Sequence, residues 1–422
     1  MAAVIFILAL RHLRSKTKCF DMDEAHGGLY HNKYSCRWRN PFGAAFSVPK
    51  RDMRENSVLA GRMFPGKSRY QVMNRKIGCA VIGRGGMGSF HATHMVANPE
   101  LDFIGAYDIL PERTKDLPGH GRAFSSLEEL LADPRIELVT IATPNDVHRP
   151  IAIQAMEAGK NVISEKPVTL SSRDLEAMLA ASKRTGKIFT VHQNRRWDSD
   201  FLTMKKIFDT NQLGPVFRIE SRVQGSRGIP GDWRNQKEHG GGMVYDWGIH
   251  LIDQMLMMTF PRKIVSVYAQ LEYVTNENCD DGFRLDAKFD DGLIYHVEVG
   301  TSNFISLPRW YMLGEDGSAV LRDWSCKGEI VKVSDWENRD AVPIIAGVGL
   351  TKTMAPRTDD TIKTYPLKKV EGDWDDFYRN VCACIRGEAE LIVTADQERR
   401  LIKFIEAVFE SAEKDQVVRL DL

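Results

Sequence analysis

The feature that most constrains this chain is a glycine series at residues 83–88. Cys79-Ala80-Val81-Ile82 is a compact apolar run of strand type, Gly83-Arg84-Gly85-Gly86-Met87-Gly88 follows it, and a helical pattern continues through Val96. Glycines at the first, third and sixth positions between a strand and a helix answer three separate needs. Gly83 permits a tight turn, Gly85 lets backbone approach a pyrophosphate, and Gly88 lets the helix lie close on the strand. The helix then offers its unpaired N–H groups to phosphate oxygens. A second apolar run, Phe103–Tyr107, ends at Asp108, 20 residues beyond Gly88. A carboxylate there can accept hydrogen bonds from both hydroxyls of a ribose. These residues read as the opening of a parallel, doubly wound α/β sheet that binds a dinucleotide. The charge of Asp108 repels a 2′-phosphate and favours NAD over NADP, while Arg113 and Lys115 downstream soften that preference and leave NADP open.

The next segments continue the alternation of short apolar runs and helical patterns that marks βαβ units. Ser126 and Glu129 form a capping-box pattern ahead of a helix at Leu127–Ala132. Leu138–Ala142 reads as a buried strand ending in Thr143-Pro144-Asn145, with His148 at the start of the next helix. Asn161–Ser164 ends in Glu165-Lys166-Pro167, and a helix at Ser171–Arg184 and a strand at Ile188–His192 complete the half. Ligands of open parallel sheets sit beyond the carboxyl ends of the strands. Thr143, Pro144, Asn145, Glu165 and Lys166 are therefore expected at the cofactor, together with Arg84, Gly86 and Met87 of the glycine loop. His148 has two readings, a cofactor contact or a helix-start residue that caps or faces water.

Gly214-Pro215 breaks the pattern, and Val216–Val223 opens a region of a different kind. Ile264–Tyr273, Arg284–Phe289, Ile294–Val299, Arg309–Leu313 and Ala319–Leu321 read as strands, with a hairpin turn at Asp290-Asp291-Gly292. They imply an α+β domain with a large, mostly antiparallel open sheet. Helices at Asp373–Arg386 and Ala395–Lys414 would pack back on the body, leaving one sheet face free for subunit pairing. Residues 324–370 show no period. Gly240-Gly241-Gly242 leads into Tyr245–Met258, which reads as a helix carrying Asp246, His250 and Asp253 at i, i+4 and i+7 on one face. A His–Asp pair suits general acid–base work near neutral pH. The plainer alternative is a buried histidine satisfied by its own helix. His91 and His94 have HxxH spacing without an acidic or cysteine companion, so no metal site is expected. Cys382 and Cys384 read as buried thiols.

Charge and length set the outer bounds. The chain balances 57 basic against 57 acidic residues, but residues 1–72 hold 13 and 5, leaving 44 and 52 for the remainder. An acidic body excludes duplex nucleic acid as the expected partner. No apolar run approaches the about 20 residues that cross a bilayer. Seven scattered cysteines fit a reducing cytoplasm. Ala2–Leu10 is apolar, but Arg11, Arg14, Lys16 and Lys18 follow it, whereas a secretory signal places its charges first. Met73 looks like a fresh beginning, so residues 1–72 are expected to be a start-site artefact or a disordered tail. Asp21, Asp23 and Glu24 weigh against the rival, a mitochondrial presequence. The expected domains are 73–195 for the dinucleotide and 196–422 for substrate and oligomerisation.

The glycine loop, Asp108, Thr143-Pro144-Asn145, Glu165-Lys166-Pro167 and the series from Gly240-Gly241-Gly242 to Asp246, His250 and Asp253 together resemble the glucose–fructose oxidoreductase/inositol dehydrogenase family, Gfo/Idh/MocA. The resemblance covers residue 76 to the end. The stretches from Asn194 to Leu202 and from His250 to Gln254 are similar to its scyllo-inositol dehydrogenase branch. Members of that branch are often NADP-linked, and Asp108 departs from that pattern. The resemblance implies a Rossmann domain followed by a second α/β domain, a dimer or tetramer, and oxidation of a cyclitol, sugar or glycoside hydroxyl by NAD(P). It implies that Lys166 binds the reacting hydroxyl and lowers its proton affinity, that His250 takes the proton, and that Asp246 orients the imidazole or shares in the relay. Asn194, Arg196 and Trp197 would lie against substrate with Asp246 and His250. Two rivals share the fold. One is a glycoside hydrolase that oxidises at C3, eliminates the aglycone and recycles its NAD. The other is a non-catalytic NAD-binding sugar sensor, disfavoured because Lys166, Asp246 and His250 are all present.

Overall fold

The computed structural model describes residues 75–338 and 341–422. The expectations for residues 1–72 and for Met73 as a start lie outside the described residues.

Six short strands build the first sheet: β1 (Ile77–Ile82), β2 (Leu101–Tyr107), β3 (Arg122–Ala123), β4 (Leu138–Ile141), β5 (Asn161–Ser164) and β6 (Phe189–Val191). All pair in parallel, in the order β3-β2-β1-β4-β5-β6. Both β1 and β4 are buried along their whole length. Such continuous apolar runs are what a sheet covered on both faces requires. The crossovers are the helices α1 (Gly86–Ala97), α2 (Leu127–Ala132), α3 (His148–Glu157) and α4 (Ser172–Thr185). Strand order reverses between β1 and β4, which opens the crevice where ligands of such sheets bind.

The cap of α2 forms only half of the expected box. Ser126 Oγ accepts the Glu129 N–H at 3.1 Å, but the Glu129 carboxylate turns to the N–H and hydroxyl of Ser125. A complete box starts a later helix, Ala395–Lys414, between Thr394 and Gln397.

The second sheet has nine strands: β7 (Val216–Gln224), β8 (Ile264–Glu272), β9 (Gly282–Phe289), β10 (Ile294–Gly300), β11 (Trp310–Gly314), β12 (Gly317–Leu321), β13 (Gly328–Val333), and the later β16 (Ile362–Pro366) and β17 (Val418–Arg419). A separate hairpin, β14 (Ile344–Ala346) and β15 (Gly349–Thr351), lies between them. The order is β16-β13-β12-β11-β7-β10-β9-β8-β17, and every pairing is antiparallel except β7 with β10. In β9 the residues Phe283, Leu285, Ala287 and Phe289 are buried while Arg284, Asp286 and Lys288 are exposed. This period of two gives one covered and one open face. Helices α5 (Ser199–Asp209), α6 (Ile249–Thr259), α7 (Asp375–Ile385) and α8 (Ala395–Lys414) complete the body. The segment 324–370, without period in the sequence, thus supplies four strands. β16, at the sheet edge, and the hairpin are mostly exposed, so they carry no buried apolar stripe to read.

The expected helix Tyr245–Met258 is divided. Val244–Gly248 forms a π-helical turn, and α-geometry begins only at Ile249. Among the described residues, no helix is long and apolar enough to cross a membrane. The five cysteines described are free.

Candidate active site

At the carboxyl end of β1 the three glycines behave differently. Gly83 has φ +87°, and a Cβ on Gly88 would stand 1.9 Å from the Gly83 carbonyl oxygen. Neither position can carry a side chain. Around Gly85 and Gly86 a Cβ would meet nothing within 4 Å, and Gly85 caps α1 without any side-chain bond. The open side of the turn is thus lined by backbone at a helix N-terminus, with Met87 part-buried beside it. Asp108 lies where the ribose carboxylate is expected. Its Oδ2 accepts the Arg84 N–H at 2.6 Å and its Oδ1 the Leu110 N–H at 2.9 Å, so it also ties the glycine loop to β2. Arg113 approaches the carboxylate to 3.6 Å. The Arg84 guanidinium donates to the carbonyls of Arg113 and Asp116, on a cavity of about 540 Å³ that Lys115 also lines. The Thr143 hydroxyl is buried and has no partner among the described residues. An open glycine cradle, a ribose-type carboxylate and an unpartnered hydroxyl fit a dinucleotide.

Three residues expected at the cofactor have their side chains engaged elsewhere. The Asn145 amide, after Pro144, donates to the carbonyls of His239 and Gly240 at 3.1 and 3.3 Å, strapping the loop after β4 to the glycine triplet. His148 is wholly buried, its ring nitrogens 3.0 Å from the carbonyls of Thr143 and Pro167, so it braces two loops and faces neither ligand nor water. Glu165 is buried as well. Its Oε1 receives His91 Nε2 at 2.7 Å and His192 Nδ1 at 2.8 Å, and its Oε2 receives the Lys166 N–H at 3.1 Å. Burial alone would raise the Glu165 pKa, but the two imidazoles hold it well below the usual carboxylate range. Tyr378 of α7 bonds the other nitrogen of His91. His91 of the HxxH pattern therefore belongs to a buried network that fixes the backbone of Lys166. His91, Glu165 and His192 also make a donor set of metal-ligand type, with ligand atoms within 4.8 Å of one another. Direct bonds of 2.7 and 2.8 Å already pair these atoms. No local pattern signals this cluster, because its members lie 74 and 27 residues apart.

Lys166 Nζ points across to the π-turn. It donates to the Asp246 carbonyl at 2.9 Å and lies 3.4 Å from Asp246 Oδ1. Asp246 Oδ2 lies 3.4 Å from Arg234 Nε. The expected Asp246–His250 pair is not formed. The reason is competition for the carboxylate, whose two oxygens are taken up by Lys166 and Arg234. Asp246 turns to the two cations. His250 is left buried, with Nδ1 unpartnered among the described residues and its ring 6.0 Å from that of Trp247. Burial, and then the charges of Lys166 and Arg195, push its pKa well below the ordinary histidine value. It is therefore a neutral base at neutral pH.

The turn at Asn194–Trp197 also resolves differently from expectation. Arg196 is buried in a two-pronged ion pair with Asp253 at 2.6 and 2.7 Å, and Trp197 packs edge-on against Phe377. Asn194 is buried in the same turn. Arg195 enters the cleft instead. Its guanidinium stacks 4.2 Å from the Trp247 ring and bonds Asp198 at 2.9 Å. A cavity of about 500 Å³ is lined by Arg195, Asp246, Trp247, Gln224, Thr301 and Trp324, among others. Trp324 and Arg234 had no signal in the sequence. Which of two adjacent arginines faces a cleft depends on the phase of a 3-10 turn, and Trp324 lies in the segment without period.

A parallel sheet of order 3-2-1-4-5-6, a glycine cradle and a lysine–carboxylate–histidine group define a dinucleotide-dependent oxidoreductase architecture. The chain belongs to the Gfo/Idh/MocA oxidoreductase family: residues 77–193 match its NAD-binding Rossmann fold and residues 201–320 its C-terminal domain. It is 30% identical over 372 residues to the scyllo-inositol 2-dehydrogenase (NADP(+)) IolW of Bacillus subtilis, covering 84% of this chain and 98% of that protein. It is 28% identical over 259 residues to the scyllo-inositol 2-dehydrogenase (NAD(+)) of the same organism, covering 59% of this chain and 75% of the other. A crystal structure of an NAD-binding protein from Listeria innocua superposes with a TM-score of 0.79 at 44% identity, over 82% of this chain and all of that one.

Proposed function

We propose that the protein is an NAD(P)-dependent dehydrogenase that oxidises a secondary hydroxyl of a cyclitol or related sugar, with NAD preferred. The observation that carries this reading is the meeting of Lys166 with Asp246, which lines the cavity, close to an uncharged His250 whose Nδ1 has no partner among the described residues. Gly83, Arg84, Gly85, Gly86, Met87, Gly88, Asp108 and Thr143 would hold the dinucleotide, which supplies the hydride acceptor when bound. The Lys166 ammonium would donate to the substrate hydroxyl, and its charge would lower that hydroxyl's proton affinity. His250 would receive the proton. Asp246 would act on Lys166 and Arg234, holding the ammonium in place. The names of the Bacillus subtilis relatives support an inositol as substrate. The charge of Asp108 supports NAD. A homodimer or homotetramer through the open sheet face, in the cytoplasm, belongs to the same reading.

Its test is to incubate the full chain with NAD or NADP and a panel of inositols, aldoses and glycosides while following reduced nicotinamide. Net reduction with an inositol and NAD supports the proposal. Reduction with NADP alone overturns the cofactor preference. Release of an aglycone without net reduction would replace the dehydrogenase with the recycling hydrolase.

A further inference from the structure

The chemistry of Lys166 and His250 leaves four buried polar side chains unused behind the lysine. His91 comes from α1, Glu165 and His192 from just beyond the ends of β5 and β6, and Tyr378 from α7. Their hydrogen bonds have a direction. Glu165 Oε1 accepts from His91 Nε2 at 2.7 Å and His192 Nδ1 at 2.8 Å, and Oε2 accepts the Lys166 N–H at 3.1 Å. An ionised carboxylate only accepts, so both imidazoles must present N–H groups to it. The Nε2 proton of a neutral His91 is then spent on Glu165, which leaves Nδ1 as the acceptor for the Tyr378 hydroxyl. Burial supports this order, because it lowers the His91 pKa and raises that of Tyr378. One polarised chain therefore runs from Tyr378 through His91 and Glu165 to the backbone of Lys166. The Tyr378 ring alone would serve the fold, packing edge-on against Phe377 at 5.6 Å and His91 at 6.1 Å, contacts that phenylalanine would keep. The hydroxyl adds a polar group in a buried place, a cost unless it is bonded. Its bond goes to the chain behind Lys166.

We propose that Tyr378 is a positioning residue for Lys166, acting from α7 through His91 and Glu165. The inference rests on the dehydrogenase reading above. Without the hydroxyl, His91 Nδ1 loses its donor, and the imidazole is free to turn or to carry its proton on Nδ1 instead. Either change takes a donor from Glu165. The carboxylate then re-aims, and the Lys166 N–H follows it. On the other side of the lysine, His148 holds the Pro167 carbonyl at 3.0 Å, so the backbone is set from both flanks. A small displacement of a group that acts on the reacting hydroxyl costs turnover, while ground-state binding is kept.

The test uses the full chain and two readouts. One is steady-state turnover with NAD and the inositol oxidised best. The other is the Lys166 amide cross-peak in the magnetic resonance spectrum of protein labelled at its lysine nitrogens, assigned by its loss in Lys166→Arg. Tyr378→Phe is expected to lower kcat about tenfold, the worth of one hydrogen bond in a buried network, with KM and the dissociation constant of NAD within about twofold. The Lys166 cross-peak should move. Glu165→Gln should lower kcat further, and adding Tyr378→Phe to it should change kcat by less than about twofold, because the two residues act in series. A hydroxyl that served only the fold would lower Tm, leave the cross-peak in place and multiply with Glu165→Gln. Should Glu165→Gln not fold, His91→Leu takes its place in the same cycle. Unchanged kcat, an unmoved cross-peak or multiplying effects overturn the proposal. A cross-peak that moves in a protein whose wild type oxidises no polyol sinks the dehydrogenase reading alone, and the link from Tyr378 to Lys166 stands.

Discussion

Lys166 is held in the cleft by its backbone as well as by its charge. Its N–H is bonded to Glu165, which two histidines clamp, and its ammonium reaches Asp246. Removing the ammonium leaves that clamp intact, so Lys166→Ala is expected to lower kcat by about 10²–10³, the range for losing one preorganised charge donor. The dissociation constant of NAD, read by fluorescence titration, should stay within about twofold. Unchanged turnover would remove Lys166 from the chemistry. His250 carries a second expectation. A base whose pKa is lowered stays neutral through pH 7 and becomes protonated only at lower pH, so the acid limb of kcat/KM should lie below about 6.5. A profile still falling above pH 7 would assign that limb to another group.

Glycines of one loop divide by what surrounds them. Gly88→Ala would drive a methyl into the Gly83 carbonyl, and the backbone of β1 and α1 would have to part. A loss of at least about 3 kcal/mol is expected in denaturant unfolding. Gly85→Ala meets no atom and has φ −74°, an ordinary value, so unfolding should change by less than about 0.5 kcal/mol while NAD binding weakens. Equal effects at both positions would show that the open side of the loop does not face the dinucleotide. The π-turn is the other decisive element. The Val244 N–H donates to Asp280 Oδ2 at 2.8 Å, and a Cβ on Gly242 would stand 2.1 Å from Asp280 Oδ1. Gly242 has φ +104°, so glycine is needed there twice, for its conformation and for the close approach of the carboxylate that starts the turn.

Buried polar ties join the first sheet to the helices of the second region, and they make the whole molecule sensitive to pH. Tyr378 reaches His91, Arg196 grips Asp253, and Gln193 donates to Glu398 of α8. Burial lowers the pKa of His91, His148 and His250. Their unfolded forms therefore bind protons first as pH falls, so the stability present above about 6.5 is lost below it. A fall in Tm from pH 7 to pH 5.5 is the expected result. Glu398 has the opposite sign. Burial and the neighbouring Asp253 raise its pKa to about 8, so the fold favours its protonated form and loses that advantage as pH rises toward 8. Glu398→Gln should thus melt close to the wild type at pH 5, with a Tm advantage that grows up to about pH 8 and then levels. An advantage independent of pH would show that Glu398 is already ionised in the fold.

The sequence by itself determined the order of βαβ units, the glycine turn with its distant carboxylate, and most helices and strands of the second region. Each of these is a local pattern, set by side-chain period or by what glycine alone allows. It also placed Lys166, Asp246 and His250 together through resemblance. What only the tertiary structure decided was which side chains of those motifs face the cleft. Asn145, His148, Glu165 and Arg196 lie in the expected loops but spend their polar atoms on partners from other elements. Arg195, Arg234 and Trp324 supply the charge and the aromatic surface there. The same holds for the Asp246–His250 pair, which helical spacing suggests and which the cations Lys166 and Arg234 undo by drawing Asp246 to themselves. A local pattern specifies an element and its buried face, whereas the partner of a buried polar group is chosen by whichever distant donor or acceptor the packed chain brings within about 3 Å.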